Sequence, residues 1–139
     1  KFFTEKQVDG ITCGSGVMGE LPGAMAADDF IMMLKREFDV ECVQCNQLLR
    51  RPIRTVAICG GAGSFLLPEA IAAGADAFVT GEMHYHDYFA HEQEIQIAVI
   101  GHYQSEQYTY EIFKSIIEEQ CEGVRCVVTS QNTNPIIYL

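Results

Sequence analysis

Residues 97–106 read IAVIGHYQSE, and this stretch decides the fold. Its first four residues form an apolar run typical of a buried strand, and the apolar residues of 108–117 recur at the spacing of one helix face. Gly101 permits a sharp turn between the two elements, and Ser105 can cap the helix. The pattern therefore predicts a strand that passes directly into a helix, the repeating unit of α/β proteins.

Two side chains in this stretch could carry chemistry. The turn places the His102 imidazole and the Glu106 carboxylate at the carboxyl end of a strand, where α/β sheets hold ligands. An imidazole and a carboxylate four residues apart suit a divalent metal, and they equally suit acid–base chemistry. In a third interpretation, His102 is an ordinary histidine and Glu106 is a glutamate favoured near the start of a helix, and neither has a further role. The residues alone leave these three alternatives open.

Two similar units precede this one, and their turns begin at Gly60 and Gly81. The apolar runs 55–59 and 76–80 predict strands, and residues 65–73 predict an apolar helix after the first turn. Strands that alternate with helices of this length predict an α/β fold with a mainly parallel sheet, flanked by helices on both faces. The three glycine turns should then lie along one edge of the sheet.

The first of these turns reads GGAGS over residues 60–64. Successive backbone N–H groups around Gly61, Gly63 and Ser64 could hold an anion. No Gly-Lys-Ser/Thr follows, which excludes a Walker loop, and a tight turn with a structural role explains the glycines equally well. Both interpretations stay open for this turn.

Two histidines, His84 and His86, follow the second turn. Their side chains would point to opposite sides of a strand but could converge on a metal from a loop. Solvent-facing or hydrogen-bonded histidines are the other interpretation, so the sequence does not by itself indicate a metal role for them.

A further glycine-rich stretch, GSGVMG at residues 14–19, matches the dinucleotide-binding pattern G-x-G-x-x-G, and Asp39 follows at the expected distance. That pattern must open a helix, whereas Pro22 and the glycine after it interrupt any helix here. An extended segment is therefore predicted, with the next helix beginning around Ala26 or Ala27. A dinucleotide-binding oxidoreductase is accordingly disfavoured.

Shorter patterns predict the remaining segments. Residues 40–45, 124–129 and 136–138 are predicted as strands, the last of them after a turn. Three arginines in one connection could meet an anion, although a solvated loop is the simpler interpretation: Arg50, Arg51 and Arg54.

Composition limits the classes of function. The 139 residues suffice for one domain with a core, and 48% of them are hydrophobic. The net charge of −10 argues against nucleic acid or an anionic membrane as a partner, since both require clustered Lys and Arg. No apolar run approaches the roughly 18 residues of a membrane-spanning helix. Residues 1–6 lack the apolar core of a secretory signal, so a cytoplasmic protein is expected.

The six cysteines are predicted to be structural thiols. Most lie in strand-like apolar runs, where a small buried thiol is the ordinary explanation. Cys42 and Cys45 have the C-x-x-C spacing of a redox motif, but no second such pair exists to complete a zinc site.

Four motifs together give the chain a specific resemblance. They are GGAGSF at residues 60–65, GADAFVTGE at 74–82, GHYQSE at 101–106 and TNPI at 133–136. In this order and spacing they resemble the carboxyl-terminal half of the NGG-one-interacting-factor-three-like family, whose members are commonly called type-two GTP cyclohydrolase I homologues. The resemblance covers residues 14–139 and implies one half of a duplicated two-lobed fold. Residues 1–13 would then be a linker or the exit from an inserted domain.

The resemblance implies a dinuclear metal site in the cleft between two α/β halves, with residues 14–139 contributing one side of it. His102 and Glu106 would be the metal ligands of this half. The remaining ligands would come from an amino-terminal half of the same protein, which is the implied partner.

The same resemblance assigns roles around this pair. Glu82 and His86, with His84 beside them, would support the metals or transfer protons. The family more commonly carries an Arg where Val17 stands, which puts an anion contact there in doubt. A pocket-shaping loop would be formed by Gly61, Gly63 and Ser64.

Divalent metal ions are the implied cofactors, two per full-length chain, and zinc, iron and manganese all suit such a site. The expected function is a metal-dependent hydrolase acting on a small molecule, and only the family's name points to GTP. A metal-binding scaffold or regulatory interaction protein without turnover is the alternative. Family members resemble ring-shaped hexamers, so a homo-oligomer is expected. This chain, with two ligands, should alone bind metal weakly and be inactive.

Overall fold

The computed structural model describes residues 1–138. The strands are β1 (Lys6–Val8), β2 (Ile11–Cys13), β3 (Val17–Met25), β4 (Gln44–Cys45), β5 (Ile53–Cys59), β6 (Ala77–Thr80) and β7 (Gln96–Val99). The α-helices are α1 (Ala27–Glu37), α2 (Leu67–Ala72), α3 (His102–Glu106) and α4 (Thr109–Gln120). Two 3-10 turns lie at Gly63–Leu66 and Tyr85–Tyr88. Among the described residues, no helix is long and apolar enough to cross a membrane.

Five strands form one mixed sheet in the order β3-β5-β6-β7-β4. The three central strands are parallel, as predicted, whereas both edge strands run antiparallel to their neighbours. The extended segment predicted around the G-x-G-x-x-G match is confirmed as β3, and it tolerates Pro22 because an edge strand needs fewer ladder hydrogen bonds. The sequence therefore predicted the centre of the sheet correctly and missed the direction of its edges.

Helices cover both faces of the sheet. Phe30 and Leu34 of α1 are buried in a cluster with strand residues such as Val79. Residues of α2 and of the 3-10 turn before it are buried in a second cluster. This cluster includes Phe78, which directly precedes Val79 in β6. Successive residues of a strand point to opposite faces, so the continuous apolar runs of β5, β6 and β7 supply both clusters. The prediction of helices on both faces is confirmed.

The first residues of the chain are ordered against this domain. β1 and β2 form an antiparallel hairpin, and Phe2 pairs with Val17 at the edge of the main sheet. Phe3 is buried in the cluster on the α2 side. Residues 1–13, expected as a linker, thus contain a hairpin, and their role as the exit from an inserted domain stays a prediction.

The strands predicted at 124–129 and 136–138 are absent from the described part of the chain. Both segments are apolar, but neither pairs with β3 or β4, the two edge strands of the sheet. The strand predicted at 40–45 is observed only as the two residues of β4, which pair with β7.

The helix after Gly101 differs from its prediction in two ways. It is divided at residues 107–108 into α3 and α4. Ser105 is not its cap: Gly101 is the N-cap residue, with φ of 98°, and Ser105 lies inside α3. No residue of α4 is buried, so the apolar face predicted from its spacing faces solvent.

Candidate functional site

The three glycine turns meet at the carboxyl ends of β5, β6 and β7, as predicted. The Gly61 carbonyl accepts hydrogen bonds from the N–H groups of Gly81 (3.0 Å) and Glu82 (2.9 Å). The Gly61 N–H in turn donates to the Ser105 hydroxyl at 2.9 Å. These bonds join the turns after three separate strands into one surface. Side chains that leave those turns are therefore held at fixed distances from each other. The second turn is followed only by the 3-10 turn Tyr85–Tyr88, so the helix expected in a third β-loop-α unit is absent from the described residues.

The His102 ring lies between two carboxylates. Its Nδ1 is 2.8 Å from Glu82 Oε1, and its Nε2 is 3.2 Å from Glu106 Oε2. A carboxylate on one ring nitrogen fixes the orientation of the ring and selects the tautomer that the other nitrogen presents. Glu82, His102 and Glu106, all predicted as site residues, are thus brought together by the fold.

The backbone at Gly61 passes close to both candidate ligands. Its φ is +60°, and a methyl group on its Cα would lie 2.5 Å from Glu106 Oε1 and 3.5 Å from His102 Cε1. Gly81 is similarly confined, since a methyl group there would lie 2.6 Å from Ser105 Oγ. Both turns are therefore packed closely against side chains of α3.

Hydrogen bonding within the first turn favours its structural interpretation. The Gly61 N–H is taken by Ser105, and the Gly63 N–H donates to Thr80 Oγ1 at 3.2 Å. An anion cradle needs several free N–H groups that point the same way. The N–H groups of two glycines in this turn are already used, so the turn shapes the site mainly by its backbone.

An open cavity of about 360 Å³ lies beside His102. Its walls include Glu82, His84 and Ser64, which the sequence indicated. They also include Cys42 and Tyr138, which it did not. Cys42 lies at the cavity because β4, which follows it, pairs with β7. No local feature of the sequence predicts this pairing.

The other two predicted histidines do not converge on His102. The His84 side chain is 91% exposed, and its Nδ1 lies 3.6 Å from Asp87 Oδ2. His86 is part of an aromatic group, with its ring centroid 5.4 Å from that of Tyr85 and 6.3 Å from that of Phe89. His84 therefore borders the cavity, while His86 is not among the cavity-lining residues.

Two of the three clustered arginines form ion pairs within the domain. Arg51 donates to Asp76 and Arg54 donates to Glu20. Burial raises the pKa of Asp76, but the N–H groups of Thr55 and Arg54 and the Arg51 guanidinium outweigh it and hold this pKa below its usual value. This arrangement favours a structural role for the cluster over an anion site.

The C-x-x-C pair has the features of ordinary thiols. Both Cys42 and Cys45 are free. Burial, and to a lesser degree the neighbouring Cys42, raises the pKa of Cys45. Reactive cysteines show the opposite shift, which argues against a redox role for Cys45. Both side chains are nevertheless exposed, so the prediction of small buried thiols is wrong for this pair.

The residues present suit one side of a metal centre. His102 Nε2 and Glu106 Oε2 are adjacent ligand atoms of types that zinc, iron and manganese accept, and Glu82 holds the opposite ring nitrogen as carboxylates commonly do for metal-bound histidines. No group of three or more ligand side chains that could hold a metal occurs within residues 1–138.

Comparison with known proteins identifies relatives over nearly the whole chain. A protein named GTP cyclohydrolase 1 type 2 homolog from Staphylococcus epidermidis is 33% identical over 130 residues, which cover 90% of this chain and 35% of the relative. A protein of the same name from Halalkalibacterium halodurans is 29% identical, over 94% of this chain and 36% of the relative. The chain thus spans about a third of the length of these curated relatives.

Solved structures share the fold. The Bacillus cereus protein related to NIF3 superposes with a TM-score of 0.78 at 28% identity, over 94% of this chain and 37% of that protein. The sequence model of Duf34/NIF3 (NGG1p interacting factor 3) matches residues 2–135, which is nearly the entire sequence. The chain therefore belongs to the DUF34/NIF3 (NGG1p interacting factor 3) family.

Proposed function

We propose that this chain is the metal-binding domain of a metal-dependent hydrolase whose substrate is unknown. One observation carries the proposal: the His102 ring is held between Glu82 and Glu106 at the sheet edge where three turns meet. Such an arrangement holds the imidazole in one orientation and leaves Nε2 next to a second potential ligand. The name of the curated relatives, GTP cyclohydrolase 1 type 2 homolog, supports a hydrolase, while no contact in the site selects GTP.

The proposed roles follow from the contacts. His102 Nε2 and the Glu106 carboxylate bind a divalent metal, and Glu82 orients the imidazole through Nδ1. Ser105 and Gly61 hold the turn against α3 and so fix the distance between the two ligands. A bound divalent metal polarises a substrate and lowers the pKa of a coordinated water. His84 and the cavity beside it are then placed to contact a small-molecule substrate.

The metal site needs a partner to be complete. Zinc takes about four protein or water ligands, and the described residues supply two adjacent ones. The relatives extend well beyond the matched region, because this chain covers only 35% of the length of the Staphylococcus epidermidis protein. We therefore assign the remaining ligands to the amino-terminal half of a longer parent protein. From the family resemblance alone, we further propose that this parent protein assembles as a hexamer.

Elemental analysis of the full-length protein tests this function. About two metal ions per chain are expected, and His102→Ala and Glu106→Ala should each lose most of the metal because each removes a ligand. His91→Ala is the matched control, since His91 bonds Glu94 outside this site. Retention of full metal content by both ligand variants, with His91→Ala unchanged, would show that the pair is not a metal site.

Glu82→Gln separates ligand binding from ligand orientation. An amide can still approach Nδ1 but carries no charge, so metal affinity should fall by roughly 10-fold to 100-fold, less than on loss of a ligand. Titration of metal-free protein with Zn²⁺ or Mn²⁺ measures the change. If the unmodified full-length protein binds its metal fully but hydrolyses no small-molecule substrate, the scaffold or regulatory alternative is supported instead.

A further inference from the structure

The cavity beside His102 combines apolar side chains with uncharged polar ones. The apolar residues in its lining include Met83, Val99 and Ile136. Its uncharged polar residues include Gln44, Ser64 and Tyr138, which we call the uncharged wall. Small-molecule sites commonly have this composition, in which apolar surface provides contact and a few polar groups fix the orientation of the ligand. Hydroxyl and carboxamide groups both donate and accept hydrogen bonds, so the cavity suits a flat ring with apolar faces and a polar edge.

The Tyr138 hydroxyl lies beside the turn that carries His102. A methyl group on Gly101 would lie 3.0 Å from Tyr138 Oη, so this oxygen is next to the residue that directly precedes His102. Among the tyrosine hydroxyls of residues 1–138, only that of Tyr88 forms a hydrogen bond with another group of these residues. The Tyr138 hydroxyl can therefore donate to and accept from a molecule in the cavity without breaking a bond within the described chain.

The cations of the domain lie away from this cavity. No lysine or arginine of residues 1–138 lines it. Arg54 lies near the start of β5, and Arg51 pairs with Asp76, the residue directly before β6. A strand advances about 3.3 Å per residue, so the six positions from Arg54 to Gly60 span about 20 Å. The ion-paired arginines thus lie at the opposite end of the central strands from the cavity.

A phosphate group is poorly matched to the uncharged wall. Proteins hold phosphates with Arg, with Lys or with several backbone N–H groups. The cavity has no such cation in the described residues, and the N–H groups of Gly61 and Gly63 already bond other groups of the domain. The cavity also contains the Glu82 carboxylate, which repels an anion. An uncharged part of a substrate therefore fits this wall better than a phosphate does.

We propose that the uncharged wall binds an uncharged nitrogen heterocycle of the substrate, and that any phosphate of the substrate lies away from this wall. The inference rests on the proposed function for the existence of a small-molecule substrate, but it requires no bound metal. The Tyr138 hydroxyl bonds the polar edge of the ring, while Val99 and Ile136 contact its apolar faces. Tyr138 is then a specificity-determining residue, because it selects substrates that can pair with its hydroxyl.

Titration calorimetry of the full-length protein with adenosine, guanosine, cytidine and uridine tests the wall. Each of these nucleosides carries an uncharged nitrogen heterocycle and no phosphate. At least one should bind, and Tyr138→Phe should weaken its binding about 3-fold to 10-fold, because one hydrogen bond between uncharged groups is lost. Tyr110→Phe is the matched control, since Tyr110 is 47% exposed, against 41% for Tyr138, and lies on α4 outside this cavity. Binding of no nucleoside, or equal affinities of the two variants, would overturn the inference.

Inorganic triphosphate tests the second part of the proposal. In full-length protein stripped of metal by a chelator, it should not displace the bound nucleoside, and Tyr138→Phe should leave its own binding unchanged. Displacement of the nucleoside by triphosphate, together with weaker triphosphate binding by Tyr138→Phe, would place phosphate against the wall and overturn the proposal.

Nucleoside titration of the metal-free protein also separates this inference from the proposed function. Retained nucleoside binding that Tyr138→Phe weakens supports the uncharged wall, even if elemental analysis finds no metal in any preparation and so removes the metal function. Loss of all nucleoside binding together with the metal would show that the metal holds the nucleoside, and would overturn the inference while leaving the metal function in place.

Discussion

Replacing Gly61 by alanine tests whether the glycine turn sets the geometry of the candidate ligands. Gly74→Ala is a matched control: its φ of +78° resembles the +60° of Gly61, but no atom lies within 4 Å of its added methyl group. At Gly61 the methyl group would lie 2.5 Å from Glu106 Oε1, about 1 Å short of an ordinary separation of roughly 3.5 Å. Both variants share the backbone cost, and only one displaces a side chain of the site.

Both alanine variants lose folding free energy because an L-residue must adopt a left-handed backbone conformation. An L-residue in the left-handed region costs about 1–2 kcal/mol relative to glycine. With an unfolding entropy of roughly 2.1 cal/mol/K per residue over 139 residues, both melting temperatures should fall by about 3–7 °C. Gly61→Ala should fall further, because movement of its turn also strains the hydrogen bonds to Ser105 and Glu82.

The specific effect is on the His102–Glu106 pair. The Glu106 carboxylate must rotate or shift, which changes a contact of 3.2 Å to His102 Nε2. Long-range proton–nitrogen NMR spectra of the ring report both His102 nitrogens, and they should change in Gly61→Ala but not in Gly74→Ala. Equal losses of melting temperature with an unchanged His102 spectrum in both variants would refute the steric reasoning.

Two other substitutions probe the contacts that hold the sheet and the turns. Asp76→Asn should lower the free energy of unfolding by about 2 kcal/mol, because the carboxylate accepts bonds from Arg51, Arg54 N–H and Thr55 N–H. The folded-state pKa of Asp76 is lowered, so this difference is fully present above its unfolded pKa and shrinks as the pH falls through the folded value. Urea unfolding at several pH values measures it, and a difference that grows in acid would contradict the assignment. Ser105→Ala should cost about 1–2 kcal/mol in the same assay, because it leaves the Gly61 N–H without its acceptor. Ser115→Ala is its control, since Ser115 bonds only the exposed Glu119 side chain, and equal losses in the two serine variants would argue against the link between turns.

The three central strands and the turns that follow them could be predicted from the sequence, because their signals are local. Unbroken apolar runs such as Phe78-Val79 indicate a strand buried on both faces, and glycine after each run indicates the turn. His102 and Glu106 were placed at the carboxyl edge by the same signals, since both leave the turn that follows β7. The existence and order of these elements required no knowledge of distant residues.

The contacts that complete the site were beyond such reasoning. The Glu82–His102 and Gly61–Ser105 hydrogen bonds join residues 20 and 44 positions apart, and nothing in either local sequence specifies the partner. The direction of the two edge strands likewise depends on pairing with β5 and β7. These features follow from the packing of separate units against one another.

The sequence by itself determined three parallel strands with a glycine turn after each, helices on both faces of a sheet, and a histidine and a glutamate at the end of its last central strand. Only the tertiary structure decided that both edges run antiparallel, that Glu82 orients His102, and that residues 124–129 have no strand beside them. The physical reason is the separation along the sequence over which each kind of interaction acts. Hydrophobic periodicity and turn chemistry act between near neighbours, whereas strand pairing and side-chain contacts depend on which distant surfaces meet.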